Sequence, residues 1–249
     1  MESHAQSVDD HLIDSLSFKL KPGASYVTDR RSVTYFPQGG NQYSPTGVKV
    51  MKVLLTGDQW LDPSTLKLQF RLRNDDTGSK PLVPFTVGPH GFFRRCRIIA
   101  GGQVLEDIDQ YNRTTEMFHL MQSEDKRLND AIEGFGGTQT GTPASIAAGE
   151  ERVVMFTPLS GLLTGQDKYL PIRYCPVQIE VELVSSGGDA VRSAASDANS
   201  LVWSISDVQL KCDVISLDNA LDNEYASHLL SGKSLPINLS SYATNVQTA

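Results

Sequence analysis

Residues 91 to 107 read Gly91-Phe-Phe-Arg-Arg-Cys-Arg-Ile-Ile-Ala-Gly-Gly-Gln-Val-Leu-Glu-Asp107. Two apolar runs, Phe92–Ile99 and Gln103–Ile108, flank the pair Gly101 and Gly102. Glycine tolerates the positive φ that tight hairpin turns need, so the pattern predicts an antiparallel hairpin. The glycine pair lacks the spacing of a phosphate-binding loop, so we expect no nucleotide there.

Alternation of apolar and polar residues predicts more strands on both sides of this hairpin. The clearest is Thr65–Arg73, where every second residue is apolar and the residues between are mostly polar or basic. The pair Asp62-Pro63 predicts a turn over residues 57–64 just before it. Further strands are expected at residues 15–21, 32–36, 48–56, 152–157, 177–184 and, as one bent strand or a strand pair, 201–217. About eight to ten strands at this spacing predict an all-β fold, an antiparallel β-sandwich jelly roll with short helices in its connections.

Two regions change to a helical period. Residues 111–129 carry apolar residues at helical spacing, and residues 218–230 do the same before Gly232, which predicts short helices in both places. Residues 134–149 and 185–200 are rich in small residues and predict two long exposed loops. Three apolar residues of the first helical region are expected to be packing residues: Met117, Phe118 and Met121.

The chain is expected to divide into three parts. Residues 1–14 are predicted to form a flexible N-terminal arm, residues 15–218 the jelly-roll domain, and residues 219–249 a helix followed by an extended connector. The connector is positioned to lead into a second jelly roll that this sequence does not contain.

Composition limits the function. The chain has 249 residues, 39% apolar and 20% charged, which suits a globular domain with a sizeable core. Its net charge of -7 and pI near 5.2 argue against tight nucleic-acid binding over the whole molecule. No apolar run is long enough to cross a membrane, and the acidic N-terminus lacks the features of a signal peptide. The three widely spaced cysteines are expected to be buried free thiols: Cys96, Cys175 and Cys212.

Three motifs in this order resemble the first half of the double-jelly-roll major capsid proteins of double-stranded DNA viruses. That family includes nucleocytoplasmic large DNA viruses, virophages and polinton-like elements. The first motif matches at Arg95–Ile99, Gly101, Gly102, Gln103, Glu106, Asp107, Tyr111 and Met117–Leu120. The second matches at Phe156–Leu159, Leu170, Pro171 and Val177–Leu183, and the third at Trp203–Leu217 with the helix after it. The resemblance covers roughly residues 15–235 and rests on the order of three unrelated local patterns.

This resemblance implies a structural subunit of an icosahedral viral capsid, with the eight-stranded jelly roll of capsid proteins. Members of the family form homotrimers whose jelly rolls give pseudo-hexagonal capsomers, and these self-assemble to tile the shell. The implied partners are other copies, neighbouring capsomers and minor capsid proteins, with a genome or an inner membrane beneath the shell. The implied localisation is the virion, assembled inside the host cell and not secreted through a signal peptide.

The resemblance also implies roles for named residues. The motif residues with structural roles are Gly101, Gly102, Gln103, Tyr111, Leu170, Pro171 and Trp203. Candidate outer-loop residues are Gly136, Gly137, Thr138, Gly187, Gly188 and Asp189. Candidate contacts between subunits are Arg94, Arg95, Asn238 and Tyr242.

The length of the chain leaves alternatives open. The family's subunit carries two jelly rolls, whereas 249 residues hold one plus a connector. The chain is therefore expected to be the N-terminal part of a longer product or a single-jelly-roll vertex (penton) protein. A lectin-like carbohydrate-binding jelly roll is a further alternative. It would need exposed aromatic residues, and the two tryptophans are Trp60 and Trp203.

The sequence has no arrangement typical of an enzyme. Its five histidines are scattered, without the His-x-His spacing of a cupin metal site. His90, between Pro89 and Gly91, is the most site-like of them. Ser160-Gly-Leu-Leu lacks the Gly-x-Ser-x-Gly pattern of a nucleophile elbow. We therefore expect no catalytic residue, metal ion or cofactor.

Overall fold

A computed structural model describes residues 26–136, 143–165, 168–192 and 198–244. Over these residues the strands are β1 (Val27–Tyr35), β2 (Gln42–Tyr43), β3 (Val50–Leu55), β4 (Trp60–Asn74), β5 (Phe93–Ala100), β6 (Gln103–Asp109), β7 (Glu151–Phe156), β8 (Val177–Leu183) and β9 (Trp203–Leu217). The helices are α1 (Tyr111–Leu120), α2 (Glu124–Glu133) and α3 (Asn219–Leu230), with 3-10 turns at Pro89–Phe92 and Gly187–Asp189. The predicted arm at 1–14 and the predicted strand at 15–21 lie outside the described residues.

The long strands form two sheets. The first has the order β1-β9-β4-β7, with the short β2 beside β9, and the second has the order β3-β8-β5-β6. The pairings of β3 with β8, β4 with β7 and β5 with both β6 and β8 are antiparallel. From β3 onward the chain changes sheet at every step except the β5–β6 hairpin. A five-stranded and a four-stranded sheet connected in this way make a jelly roll, so the predicted fold class is confirmed.

An aromatic cluster joins the two sheets. Phe70 of β4 meets Phe93 of β5 edge-on with 5.4 Å between ring centroids, and Phe93 stacks on Phe156 of β7 at 5.7 Å. Truncating a buried phenylalanine of this kind to alanine costs about 3–5 kcal/mol. The predicted alternation of β4 is confirmed, because its inward residues are all buried: Leu66, Leu68, Phe70 and Leu72.

The hairpin predicted from the glycine pair is confirmed. Gly101 and Gly102 both have positive φ, 58° and 77°, between β5 and β6. The register shifts within the hairpin, because Ile98 pairs with Glu106 while the next residue of β5 pairs with Val104. Leu105 is therefore left without a cross-strand partner and forms a β-bulge.

The turn predicted over residues 57–64 is wrong beyond residue 59. The strand β4 already begins at Trp60, so Asp62 and Pro63 lie inside it and are buried. The Asp62 carboxylate accepts hydrogen bonds from the backbone N–H (3.1 Å) and hydroxyl (2.6 Å) of Ser64. Because β7 pairs with β4 only from Leu68 onward, the N–H that Pro63 lacks interrupts no bond to β7. The strand predicted at 32–36 is likewise part of the longer β1.

Strand β9 is one strand with a change of face in its middle. Trp203 and Ile205 are buried, and the inward positions then shift by one residue to Val208 and Leu210. The shift falls at Asp207, whose φ of 49° is unusual for a residue other than glycine. A bulge at this point lets a single 15-residue strand keep its apolar side chains on the core side throughout.

The helical region predicted at 111–129 is present as α1 and α2, but the packing predicted for its methionines is wrong. Met117, Leu120 and Met121 are exposed by 52%, 59% and 75%. Phe118 is half-buried, with its ring 4.9 Å from that of Tyr242. The buried residues of α1 are instead Tyr111 and Thr114.

The two loops predicted to be exposed are anchored by apolar residues. Phe135 is fully buried against Phe92, with 5.5 Å between ring centroids. Ile146 is buried and exchanges two backbone hydrogen bonds with Leu82. In the second loop Val191 is buried. Residues 137–142 and 193–197 lie outside the described part of these loops.

The three cysteines differ in burial. Cys96 and Cys212 are buried free thiols as predicted, and burial raises the pKa of each to about 12. Cys175 is exposed, so the prediction is wrong for this residue. It lies in the turn after Pro171, where its backbone N–H donates to the Pro171 carbonyl.

Contacts within the chain define two compact units. Among the described residues, one contains 26–31 and 215–236, which include α3. The other contains the described residues between 32 and 214 together with 237–244. Helix α3 begins and ends as predicted, because the Asp218 carboxylate accepts from the Ala220 N–H at 3.1 Å and Gly232 follows with a φ of 78°. The three-part division predicted at residues 14/15 and 218/219 stays a prediction.

Candidate functional site

A buried carboxylate joins the first two motifs of the resemblance. Glu106 of β6 is 2% exposed and accepts three hydrogen bonds from the turn that follows β7. The donors are the Ser160 hydroxyl and the N–H groups of Gly161 (2.8 Å) and Leu162 (3.1 Å). Tyr111 adds a fourth link, because its buried hydroxyl accepts from the N–H at residue 159 at 2.6 Å. Burial also raises the pKa of Tyr111 well above its usual value.

The described end of the chain lies along this turn. A Cβ at Gly161 would overlap the carbonyl oxygen of Ser240, so only glycine lets the two backbones approach this closely. Further on, the Thr244 hydroxyl donates to the last carbonyl of β6 at 2.6 Å. Tyr242, predicted as a contact between subunits, is half-buried and packs on Phe118 of its own chain. The other tail candidate, Asn238, is exposed.

The remaining motif residues hold the fold. Leu170 is buried and pairs with Leu61, and Pro171 opens the turn that precedes β8. Trp203 is buried, packs edge-on against Phe92 at 4.7 Å and donates its indole N–H to the Gly187 carbonyl at 3.1 Å. Both tryptophans are buried, so neither offers the exposed aromatic surface of a lectin-like site.

The tip of the β5–β6 hairpin is exposed. Gly101, Gly102 and Gln103 are all exposed, and so are the two apolar residues that follow. Val104 is 53% and Leu105 42% exposed. Strand β6 is an edge strand of the second sheet, and a bulge at an edge disfavours uncontrolled pairing with other strands.

A row of alternating charges crosses the outer face of the second sheet. Lys52, Glu180, Arg97 and Asp107 lie opposite one another on β3, β8, β5 and β6. Glu180 bonds to Lys52 at 2.7 Å and to Arg97 at 2.8 Å. Burial opposes ionisation of Glu180, but the hydrogen bond from Lys52 and the charge of Arg97 lower its pKa. Opposite charges directly across strands stabilise the pairing and neutralise the face from within the chain.

The two arginines predicted to contact another subunit differ in their surroundings. Arg95 binds both carboxylate oxygens of Asp107, at 2.7 and 2.5 Å, and this hydrogen bonding lowers the pKa of Asp107. Arg94 falls where the β5–β8 register shifts and donates to the Ser185 hydroxyl at 3.1 Å. Its guanidinium Nε is 3.6 Å from Asp109. Arg95 is thus occupied within its own sheet, while Arg94 lies at the edge of a large groove.

The outer-loop candidates lie in ordered turns where the structure describes them. Gly136 has a positive φ of 68°, and Gly137 and Thr138 lie outside the described residues. Gly187–Asp189 form a 3-10 turn. At its start the Ser186 N–H donates to the Asp189 carboxylate, and the Gly188 N–H donates to the Ser186 hydroxyl. A Cβ at Gly187 would overlap the carbonyl oxygen of Leu201, which explains the glycine.

Two surface features were missed by the sequence analysis. The first, here called the arginine groove, has a volume of about 930 Å³. The second, here called the apolar helix face, consists of the exposed apolar residues of α1 and α2. The arginine groove is lined by, among others, Phe85, Arg94, Asn112, Arg113, Asp189 and Arg192. The apolar helix face contains Met117, Leu120, Met121, Leu128 and Ile132.

Helix α2 exposes its large apolar side chains. Its apolar residues Leu128 and Ile132 are 44% and 79% exposed. Elsewhere on the helix, the Nε of Arg127 is buried and has no hydrogen-bond partner among the described residues, and Glu133 pairs with Lys67 of β4. A surface helix normally buries its apolar side, so α2 departs from the usual pattern.

Buried His90 lies against two half-buried titratable residues of α1, Glu116 and His119. The Nε2–H of His90 donates to Glu116 at 2.8 Å, and His119 lies 4.0 Å from the same carboxylate oxygen. Burial would raise the pKa of Glu116, but the hydrogen bond from His90 and the neighbouring charges lower it. Burial lowers the pKa of His119.

Neither a metal site nor a membrane-spanning helix is found in the part of the chain that the structure describes. No cluster of three or more His, Cys, Asp or Glu side chains with metal-binding geometry occurs among the described residues. Over the same residues, every helix is too short or too polar to cross a bilayer.

The two sheets, their connections and the inserted helices define a jelly roll of the viral capsid type. No protein-family model matches the chain, and no curated protein matches its sequence. Solved structures do match it. The PBCV-1 protein VP54, fitted into a cryo-EM reconstruction of the virophage Sputnik, has a TM-score of 0.58 and 14% identity, over 84% of this chain and 47% of that chain.

Two further structures give the same result. A quasi-atomic model of the PBCV-1 virus capsid has a TM-score of 0.57 and 15% identity, over 84% of this chain and 47% of that chain. A cryo-EM structure of the Sputnik virophage has a TM-score of 0.53 and 7% identity, over 81% and 50%. At these identities the likeness concerns the fold, and it confirms the fold that the motifs predicted. The chain spans about half the length of the structures it matches.

Proposed function

We propose that this chain is a structural subunit of an icosahedral viral capsid and that it acts by assembly, without catalysis. The observation that carries the proposal is the match of 84% of the chain to two PBCV-1 capsid structures. Its partners are other copies of itself, neighbouring capsomers and minor capsid proteins, and its location is the virion. A homotrimer is the capsomer that the resemblance favours.

The surface of the molecule supports an assembly role. The apolar helix face leaves five large apolar side chains exposed on two short helices. Monomeric soluble proteins rarely keep such groups together in water, whereas protein interfaces use them as anchors. The neutralised outer face of the second sheet also suits contact with another copy, because it presents no unpaired row of like charges.

Self-association of the full chain tests the proposal. We expect sedimentation velocity to show trimers or larger particles as concentration rises. Replacing Leu128→Ser and Ile132→Ser together should weaken this association at least tenfold, because both side chains are exposed and need no repacking of the monomer. The matched control replaces Val48→Ser and Leu230→Ser, which are exposed elsewhere by 61% and 89%. A wild-type chain that stays monomeric at all concentrations would contradict the proposal.

We further propose that the native subunit contains a second jelly roll after this one. The support is the coverage, because the chain matches only 47% of the PBCV-1 structures. Denaturing gels and mass spectrometry of particles from the source test this point. A band of about twice 27.2 kDa that contains these peptides is expected. A band at 27.2 kDa would instead favour a single-jelly-roll vertex protein.

A further inference from the structure

The arginine groove contains two guanidinium groups, of Arg113 and Arg192, beside two carboxylates, of Glu116 and Asp189. Among the described residues, neither Arg113 nor Arg192 forms an ion pair. The carboxylates of the groove are already engaged: Glu116 accepts from His90, and Asp189 accepts from the Ser186 N–H. Phe85, exposed by 61%, lies beside these groups. An open groove that combines free guanidinium groups with an exposed ring fits an acidic segment that also has apolar residues.

The groove continues into the apolar helix face along α1. Arg113, Met117 and Met121 follow one another at four-residue spacing and are all exposed, so they share one side of the helix. Eight residues of helix span about 12 Å. A ligand that lies along α1 therefore meets positive charge first and apolar side chains next, within the length of a few extended residues.

The N-terminal segment, residues 1–14, has the complementary composition. It contains four acidic residues, Glu2, Asp9, Asp10 and Asp14, and no lysine or arginine. It therefore accounts for four of the seven units of net negative charge of the chain. The pair Asp9-Asp10 is followed, after His11, by the apolar residues Leu12 and Ile13. Acidic residues next to apolar ones match the order of the surface along α1.

We propose that residues 1–14 of one copy bind the arginine groove and the adjoining side of α1 of a neighbouring copy. Asp9 and Asp10 pair with Arg113 and Arg192, and Leu12 and Ile13 cover Met117 and Met121. This inference rests on the proposed assembly and names one of its contacts. Each contact is weak and partly exposed, so its strength comes from repetition over many copies.

Charge reversal on both sides of the contact tests the proposal. The assay places a photo-crosslinking amino acid at position 12 of the full chain, in place of Leu12, and measures crosslinked product between ¹⁵N-labelled and unlabelled copies. Asp9→Lys with Asp10→Lys should reduce that product roughly tenfold, and so should Arg113→Glu with Arg192→Glu. Mixing the two variants should restore it, because reversed segments then meet reversed grooves. The control, Asp58→Lys with Lys80→Glu, alters exposed charges elsewhere and should change nothing.

Peptide mapping of the crosslinked products separates the outcomes. Crosslinks to α1 or to the groove that mix the two isotopes support the proposal. Crosslinks within single copies would place the segment on its own chain and overturn it. Copies that associate but crosslink elsewhere would overturn this contact and leave the proposed assembly standing. Copies that remain monomeric, with no mixed product, would overturn both.

Discussion

We expect the carboxylate of Glu106 to contribute about 3 kcal/mol to the free energy of unfolding. In Glu106→Gln the amide keeps one oxygen, which is best placed where Oε2 now accepts from Ser160 and Leu162. The amide nitrogen then faces the N–H of Gly161, which is left without an acceptor in a buried site. An unsatisfied buried donor costs about 1–3 kcal/mol, and the two remaining bonds each lose about half their strength when the acceptor is neutral.

Urea unfolding followed by tryptophan fluorescence measures this change, since Trp60 and Trp203 are both buried. The free energy of unfolding should fall by about 3 kcal/mol in Glu106→Gln. The control Glu182→Gln removes a carboxylate from the outward face of β8 and should cost less than about 1 kcal/mol. If Glu106→Gln stays within about 0.5 kcal/mol of wild type, the carboxylate does not hold the two motifs together.

Three further changes test other parts of the structure. Gly161→Ala should displace residues 237–244 from the core and remove their protection from limited proteolysis, because the new Cβ overlaps the Ser240 carbonyl. Gly40→Ala, with open space around its Cβ, is the control, and retained protection in Gly161→Ala would contradict the packing of the tail. Iodoacetamide should alkylate Cys175 in the folded chain and reach Cys96 and Cys212 only on unfolding; early modification of either buried thiol would refute their burial. Stability should fall as pH drops below about 6.5 and again below about 4.3. The reason is that the folded state holds the pKa values of His119 and Glu116 below their usual ranges, so acid adds protons preferentially to the unfolded chain. In urea titrations His119→Gln should remove the first decrease only, and an unchanged profile would refute its assignment to His119.

Local patterns in the sequence predicted much of the fold. The alternation at Thr65–Arg73 and the glycine pair at Gly101 and Gly102 each depend on a few neighbouring residues, and both features are present as predicted. The same reasoning failed at Asp62-Pro63, because whether a proline ends a strand depends on which neighbour would have used its N–H.

Strand β9 shows what the spacing of apolar residues in the sequence could predict. The change in spacing of apolar residues, from 203 and 205 to 208 and 210, was visible in the sequence and indicates the bulge at Asp207. A strict two-residue period hides such a shift. Reading the spacing on either side of position 207 separately would have found it.

The candidate site depended on long-range contacts that composition does not encode. Nothing near Glu106 in the sequence indicates that its carboxylate binds residues 160–162, more than fifty positions away. The exposure of the apolar residues of α2 could not be predicted, for a different reason. Helical spacing shows that apolar residues share a side, but it does not say whether that side faces the core of the same chain or another molecule.

Electron cryomicroscopy of particles from the source tests the central claim most directly. We expect a shell in which density for this jelly roll, with its sheets in the orders β1-β9-β4-β7 and β3-β8-β5-β6, repeats across the icosahedral faces. We also expect α1 and α2 to be covered by a neighbouring copy. A shell built from a different fold, with this chain absent from the particle, would contradict the proposed function.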